Sequence, residues 1–281
     1  MTPDILINQG ILALFVVGGW FLGKYLHRII SNKSNKESSK GELTRLGETV
    51  GFVGGAAGIL LGLLLVFAVQ HYADAQDAAR AEAVNNAKLF YSLGSFNESE
   101  SIDARQTLLC YMESVTAEDW KATAAGDVTG AENTTAWTKE LRSKILNLTL
   151  EDEKQSTGYF ILVEHNDNIP ELRQFRLLIA QPQIPGIVWF VIYLASFVLS
   201  ALLALQLADR KYLGRVSISA TYVILGVTVA ALGVLDHPFA EGVASLQPVA
   251  MQGTIQTLKD SYPEAIPSDC PVLAVSDFVA E

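Results

Sequence analysis

The stretch GFVGGAAGILLGLLLVFAVQHYADAQDAAR, residues 51–80, combines two kinds of sequence in one run. Its first two thirds are apolar and rich in glycine, whereas its last third is charged and rich in alanine. No proline or glycine separates the two parts, so nothing local ends a helix between them. The stretch therefore predicts one helix that crosses a membrane and continues beyond it.

Four apolar stretches have about the length that a helix needs to span a bilayer, roughly 20 residues. None of them contains an acidic residue, and they cover residues 10–26, 50–70, 186–208 and 216–235. Half of the residues are hydrophobic and only 18% are charged, which is few for a soluble protein. We predict an all-α membrane protein with four transmembrane helices and a helical soluble insert between helices two and three. Buried core helices of a soluble protein are the disfavoured alternative.

These stretches divide the chain into eight predicted segments. They are a first transmembrane helix (1–27), a flexible basic loop (28–48), a second, glycine-rich transmembrane helix (49–70), the insert (71–185), a third transmembrane helix (186–208), a second basic loop (209–215), a fourth transmembrane helix (216–235) and a soluble tail (236–281). No basic residues and no small-residue cleavage site precede the first apolar stretch, so it is predicted to be retained rather than cleaved as a signal peptide.

The two short loops predict how the chain is oriented in the membrane. Both are basic, through Arg28, Lys33, Lys36, Lys40 and Arg45 in the first and Arg210, Lys211 and Arg215 in the second. Short loops rich in lysine and arginine remain in the cytoplasm. The expected protein is a multi-pass protein of the cell membrane whose insert and both termini lie outside.

The insert reads as helical. Its residues Trp137, Leu141, Ile145 and Leu148 recur at intervals of three and four, which predicts an amphipathic helix. The run YFILV, residues 159–163, fits a short strand or a helix, and a helix is favoured. The tail is predicted to contain one short helix near residues 249–258.

The second apolar stretch carries small residues on one face. Gly54, Gly58 and Gly62 are four residues apart, and Gly51 and Gly55 form a neighbouring pair. Such spacing lets another helix approach closely in lipid. Two interpretations stay open, namely packing within one subunit and packing between subunits around a pore.

The charged continuation places His71, Asp74, Ala78, Glu82 and Asn85 on one stripe of a helix. These groups suit an ion path, and a solvated or inter-helix polar face is the favoured alternative because the spacing matches no established metal motif. No metal site is predicted.

The sequence after the fourth apolar stretch reads Asp236, His237, Pro238 and Phe239. Proline stops a helix there, and we interpret the segment as a helix end with an interfacial aromatic residue at the membrane edge. The two cysteines, Cys110 in the insert and Cys270 in the tail, fall on the same side of the membrane in either orientation. They are expected either to form a disulfide or to remain two thiols.

The sequence lacks the motifs of the common enzyme classes. It contains no GxSxG, P-loop, HExxH or CxxC pattern, so neither catalysis nor a cofactor is predicted. A net charge of −10 disfavours nucleic acid as a partner.

A family resemblance covers residues 51–258. The stretch quoted above, extended through AEAVNNAKLFY, resembles the signature of the bestrophin-like domain family of membrane proteins. The family signature has an acidic residue followed by Ala and Asn, which correspond here to Glu82, Ala83 and Asn85 or Asn86. The segments CYMESVTAEDW, QIPGIVW and LDHPFAEGVASLQP are similar to those that follow helix two, precede helix three and follow helix four in the family.

The resemblance implies four membrane helices and a homo-oligomer. Its distant kinship with bestrophins, pentameric anion channels whose second helix lines the pore, implies a pentamer that conducts inorganic ions. This second helix carries glycine and alanine where bestrophin pores have aromatic residues, and its basic loops predict the reverse of the bestrophin orientation. We therefore expect an oligomeric ion channel with the second helix near the axis. A non-conducting scaffold or sensor, whose insert binds a partner, is the alternative.

Overall fold

The computed structural model describes residues 3–33, 39–150, 153–207, 213–242 and 244–274. These residues are almost entirely helical, and none of those described lies in a β-strand. In the described ranges the α-helices are α1 (Pro3–Lys33), α2 (Ser39–Leu93), α3 (Glu98–Ser114), α4 (Trp120–Ala124), α5 (Glu132–Leu146), α6 (Glu153–Ile179), α7 (Gly186–Leu207), α8 (Leu213–Leu235) and α9 (Val249–Ser261). A π-helical turn, Val115–Asp119, joins α3 to α4, and a 3₁₀ turn, Pro263–Ala265, follows α9.

The chain forms two compact units, and the boundary at residue 72 falls inside α2. The first unit contains α1, the beginning of α2, α7 and α8. Among the described residues, three helices are long and apolar enough to cross a bilayer, over Leu6–Ile30, Leu46–Leu93 and Gly186–Leu207. The apolar part of α8, Ser219–Leu235, is shorter.

The tightest packing in the first unit joins α1 to α7 through glycine. A Cβ atom on Gly19 would lie 2.3 Å from the Phe197 carbonyl oxygen, and one on Gly23 would lie 2.2 Å from that of Ala201. Ser200 strengthens this contact because its hydroxyl donates to the Val16 carbonyl at 2.7 Å. In lipid, where hydrophobic burial cannot bring helices together, such close backbone approach and polar contacts hold them.

Substituting Gly23 with alanine is therefore expected to destabilise the first unit. The added methyl group collides with a backbone oxygen that cannot move away, and overpacking of this kind costs about 1–3 kcal/mol. Gly10→Ala is the matched control, since nothing lies within 4 Å of its added Cβ. Thermal unfolding of the two variants in detergent measures the difference, and equal midpoints would contradict the packing argument.

The predicted flexible loop at residues 28–48 is wrong as a description of the backbone. Helix α1 continues to Lys33 and α2 begins at Ser39, so most of the segment is helical. Serine, asparagine and lysine lower helix propensity only slightly, and the segment contains no proline. Of the basic residues that suggested a loop, Lys36, Arg210 and Lys211 lie outside the described residues.

The second unit contains the end of α2, helices α3 to α6 and α9. The predicted stripe is confirmed for Trp137, Leu141 and Ile145, which lie on α5 and are buried. Leu148 is also buried, but it lies just beyond the end of α5 at Leu146. The predicted helix near residues 249–258 is confirmed as α9. The YFILV run lies inside α6, so the helix that was favoured over a short strand is confirmed.

Candidate functional site

The glycine face of α2 has almost no neighbours among the residues that the structure describes. A Cβ atom on Gly51, Gly55, Gly58 or Gly62 would have no atom within 4 Å, and these glycines are exposed. Gly54 would meet one methyl group of Leu199 at 3.6 Å, which is ordinary contact. The face therefore differs from Gly19 and Gly23 of α1, which α7 covers.

An open groove of about 580 Å³ runs along this face. Besides the glycines, its lining includes Leu199 and Leu203 of α7 and Thr221 and Thr228 of α8. The groove is mostly apolar, and two of the helices that line it, α2 and α7, are long and apolar enough to cross a bilayer. A helix or lipid chains fit such a surface.

The residues of the polar stripe of α2 differ in burial. Asp74 is exposed and His71 is half-buried, whereas Ala78, Glu82 and Asn85 are buried in the second unit. The Asn85 side chain donates to the His165 carbonyl at 2.8 Å. From Ala78 onward the stripe thus packs against the chain's own helices, which favours the inter-helix interpretation there.

Glu82 belongs to a buried ion network. Its carboxylate accepts a hydrogen bond from Arg176 Nε at 2.6 Å and one from the Tyr111 hydroxyl at 3.2 Å. Arg176 also donates through Nη2 to Asp119 at 2.6 Å, and Arg173 makes a second, bidentate pair with Asp119 at 2.6 and 3.0 Å. Two carboxylates and two guanidinium groups balance in charge, and planar guanidinium forks suit this geometry.

The network changes the pKa values of Asp119, Arg176 and Tyr111. Burial by itself raises the pKa of Asp119, but hydrogen bonds and charges from Arg173 and Arg176 outweigh burial and lower it. Burial also favours neutral Arg176, yet the charges of Glu82 and Asp119 raise its pKa. The pKa of Tyr111 is raised by burial and by Glu82. Asp119, Arg173 and Arg176 are therefore ionised at neutral pH.

A loop after α4 closes over this network. The Ala131 backbone amide donates to Asp119 Oδ1 at 2.7 Å, and Arg173 donates to the Ala131 carbonyl at 3.1 Å. Gly130 has a φ of 70°, and a Cβ there would lie 2.5 Å from Asp119 Oδ1. Only glycine allows this backbone so close to the charged groups.

The predicted membrane-edge segment separates into two environments. Asp236 is buried and accepts from the Gln183 and Ile184 amides at 2.8 and 3.0 Å, just before α7, whereas His237 Nδ1 lies 3.1 Å from the Gly233 carbonyl. The carboxylate thus fixes the backbone of the segment that leads into α7.

The interpretation of Phe239 as an interfacial anchor is wrong. Phe239 is 1% exposed and packs edge-to-face on Trp120, with ring centroids 5.2 Å apart. The Trp120 indole is itself fixed by a hydrogen bond of 2.9 Å to the Leu246 carbonyl. The chain turns at Pro238 into the second unit's core, where an aromatic ring is buried rather than left at an interface.

Cys110 and Cys270 form a disulfide in the structure, with their Cα atoms 5.3 Å apart. Cys110 lies on the buried side of α3, and Cys270 lies in the segment after α9. The described residues contain no cluster of three or more His, Cys, Asp or Glu residues suited to a metal ion.

Sequence reasoning missed two sets of residues. Gly19 and Gly23 are four apart in an apolar stretch, the same signal that was noted in the second helix, and it would have found them. Asp119 and Arg173 carry no local signal, because they are 54 positions apart and only the fold brings them together.

The helices define the class of the protein. An all-helical chain with several helices apolar enough for a bilayer, packed through small residues, is an integral membrane protein. The sequence pattern of the bestrophin-like domain family matches residues 15–251, and the chain belongs to that family. This confirms the resemblance of the sequence motifs. No curated protein matches the sequence.

Crystal structures of a bacterial bestrophin homologue from Klebsiella pneumoniae have a similar fold. One point variant shares 16% identity with a TM-score of 0.60, covering 90% of this chain and 98% of its own. A second variant shares 13% with a TM-score of 0.61, covering 92% and 98%. The structure phased on zinc shares 14% with a TM-score of 0.57, covering 93% and 97%. At these identities the similarity concerns the fold alone.

Proposed function

We propose that the protein is a homo-oligomeric ion channel in which the glycine face of α2 contacts a second copy of the chain near the oligomer axis. Each subunit spans the membrane four times, through α1, the first part of α2, α7 and α8. The end of α2 and helices α3 to α6 form the insert, and residues from 236 onward form the tail. The pentamer of bestrophins is the expected stoichiometry.

The exposure of the α2 glycines is the observation that supports this proposal. Each glycine weakens a helix by about 1 kcal/mol relative to alanine, so several on one face need a compensating contact. Among the residues that the structure describes, that contact is missing at Gly51, Gly55, Gly58 and Gly62, although α1 uses Gly19 and Gly23 in this way. A neighbouring subunit would supply it.

The proposed orientation places the insert and both termini outside the cytoplasm. The basic residues of the two short connections support this orientation, as does the Cys110–Cys270 disulfide, because disulfides persist in oxidising compartments. Membrane-impermeant thiol labelling tests it in single-cysteine variants made in the Cys110→Ser/Cys270→Ser background. Intact cells should label Lys139→Cys and leave Lys36→Cys unlabelled. The opposite pattern would reverse the proposed topology.

Ion flux through purified protein in liposomes tests the channel activity. We expect wild-type protein to conduct, and Asp74→Asn to shift the ratio of cation to anion permeability towards anions, because a fixed negative charge at a mouth concentrates cations. Asp260→Asn is the matched control, since it removes another exposed carboxylate, from α9.

Two results would contradict this assignment in different ways. An oligomer without flux would exclude the channel and leave the scaffold or sensor, which the exposed apolar residues Phe160, Ile161 and Phe175 of α6 favour as a partner surface. Conduction with equal effects of both substitutions would retain the channel but remove Asp74 from the ion path.

A further inference from the structure

The last described part of the chain, residues 262–274, is a strap that runs from the end of α9 across α3. Its beginning is anchored by Tyr262, whose ring lies 5.3 Å from the Phe90 ring and 4.9 Å from the Arg105 guanidinium carbon. Further along, Cys270 is bonded to Cys110, and the Leu273 amide donates to Asn133 Oδ1 at 2.9 Å.

The outer part of the strap buries little surface. None of the residues 266–274 is fully buried, and Val272 is 80% exposed. Helix α9, by contrast, is held by Met251, Ile255 and Leu258, all of which are buried. With few buried apolar contacts, this segment depends strongly on its covalent bond to α3.

We propose that the Cys110–Cys270 bond is a reversible thiol–disulfide clasp, and that its reduction by a dithiol frees the strap while the rest of the second unit stays folded. The proposal does not depend on ion conduction.

The burial of the two cysteines determines the course of the exchange. Cys110 is 3% exposed, whereas Cys270 is only half-buried, so we assign the attack of an external thiolate to the sulfur of the more exposed residue, Cys270. That attack forms a mixed disulfide with Cys270 and releases Cys110 as a thiolate, which takes up a proton. The second thiol of the dithiol then attacks the other sulfur of the dithiol, the one that is bonded to Cys270 in the mixed disulfide. Cys270 leaves as a thiolate and is protonated, and the dithiol becomes a cyclic disulfide or an internal disulfide of a protein.

Reformation of the bond is favoured by the anchored helix. Although the cysteines are 160 positions apart, α9 keeps Cys270 on a short tether beginning at Ser261. A short flexible tether gives an effective concentration in about the millimolar range, so the two thiols meet again readily. An oxidant such as oxidised glutathione accepts the two electrons and is reduced to two glutathione molecules.

Hydrogen exchange of the full-length protein in detergent, with and without dithiothreitol, tests the proposal. We expect reduction without denaturant to make both thiols reactive to a maleimide. Strap amides should then exchange at least about tenfold faster, while peptides of α3, α5 and α9 keep their protection. Oxidised glutathione should restore the original rates. The Cys110→Ser/Cys270→Ser variant is the control, and its strap should exchange rapidly whether or not dithiothreitol is present.

Three results would overturn the clasp. If dithiothreitol reduces the bond only after the protein unfolds, the bond is a permanent structural disulfide. Unchanged strap exchange after confirmed reduction would show that non-covalent contacts hold the segment. Loss of protection throughout α3 and α5 would show that reduction unfolds the unit rather than freeing a strap.

Discussion

Arg176→Leu is expected to destabilise the second unit by about 3–5 kcal/mol, because it leaves two buried carboxylates without their shared partner. Arg176 is fully buried and pairs with both Glu82 and Asp119. The leucine side chain fills similar space but offers no donor. Arg176→Lys should give a smaller loss, since it keeps the charge but cannot reach both carboxylates with a planar fork.

Thermal unfolding in detergent, followed by tryptophan fluorescence, measures this effect, because the Arg176 guanidinium lies 5.2 Å from the Trp120 ring centroid. Arg142→Leu is the matched control. Arg142 also pairs with a carboxylate, that of Asp167, but both side chains are about half exposed, so its loss should cost less than about 1 kcal/mol. Equal destabilisation by the two substitutions would contradict the role of the network.

The network also predicts loss of stability in acid. The pKa of Asp119 is lower in the folded protein than in the unfolded chain, so the unfolded chain binds this proton more readily. The stabilisation from Asp119 is therefore complete above about pH 4 and is lost as the pH falls through the lowered folded pKa. Wild-type stability should fall over this range more steeply than that of Asp119→Asn.

Gly58→Leu is expected to dissociate the oligomer. Its side chain would fill the exposed glycine face of α2, on which we propose that a second subunit packs. Because no side chain in the described part of the chain lies within 4 Å of a Cβ at that position, the subunit itself should fold normally. Light scattering in detergent should show a large decrease in assembly mass.

Gly10→Leu is the control for this experiment. It makes the same change at an exposed glycine of another apolar helix, again with no neighbour within 4 Å. Gly23→Ala is the opposite case, since its effect should appear as unfolding before any change in mass. An intact assembly in Gly58→Leu would place the subunit contact elsewhere, and a monomeric wild type would exclude the oligomer.

The sequence by itself determined the class of the protein and most of its helices. Long apolar runs and three- and four-residue spacing are local properties, so they predicted the membrane helices and the buried stripe of Trp137, Leu141 and Ile145. The unbroken helix beyond the apolar part of α2 was also predictable, because no breaker occurs before Gly94.

Only the tertiary structure decided which face of each helix has a partner. Helical spacing places Glu82 on a polar stripe, but whether that stripe faces ions or Arg176 depends on a residue 94 positions away. The same spacing appears in Gly19 and Gly23 of α1 and in the glycines of α2. Helix α7 covers the first pair, whereas among the described residues the second set meets only one methyl group of Leu199, at Gly54. The periodicity of a sequence determines which residues share a helix face, but that face is buried only if a partner helix packs on it. In lipid the partner is selected by shape and hydrogen bonding rather than by hydrophobicity.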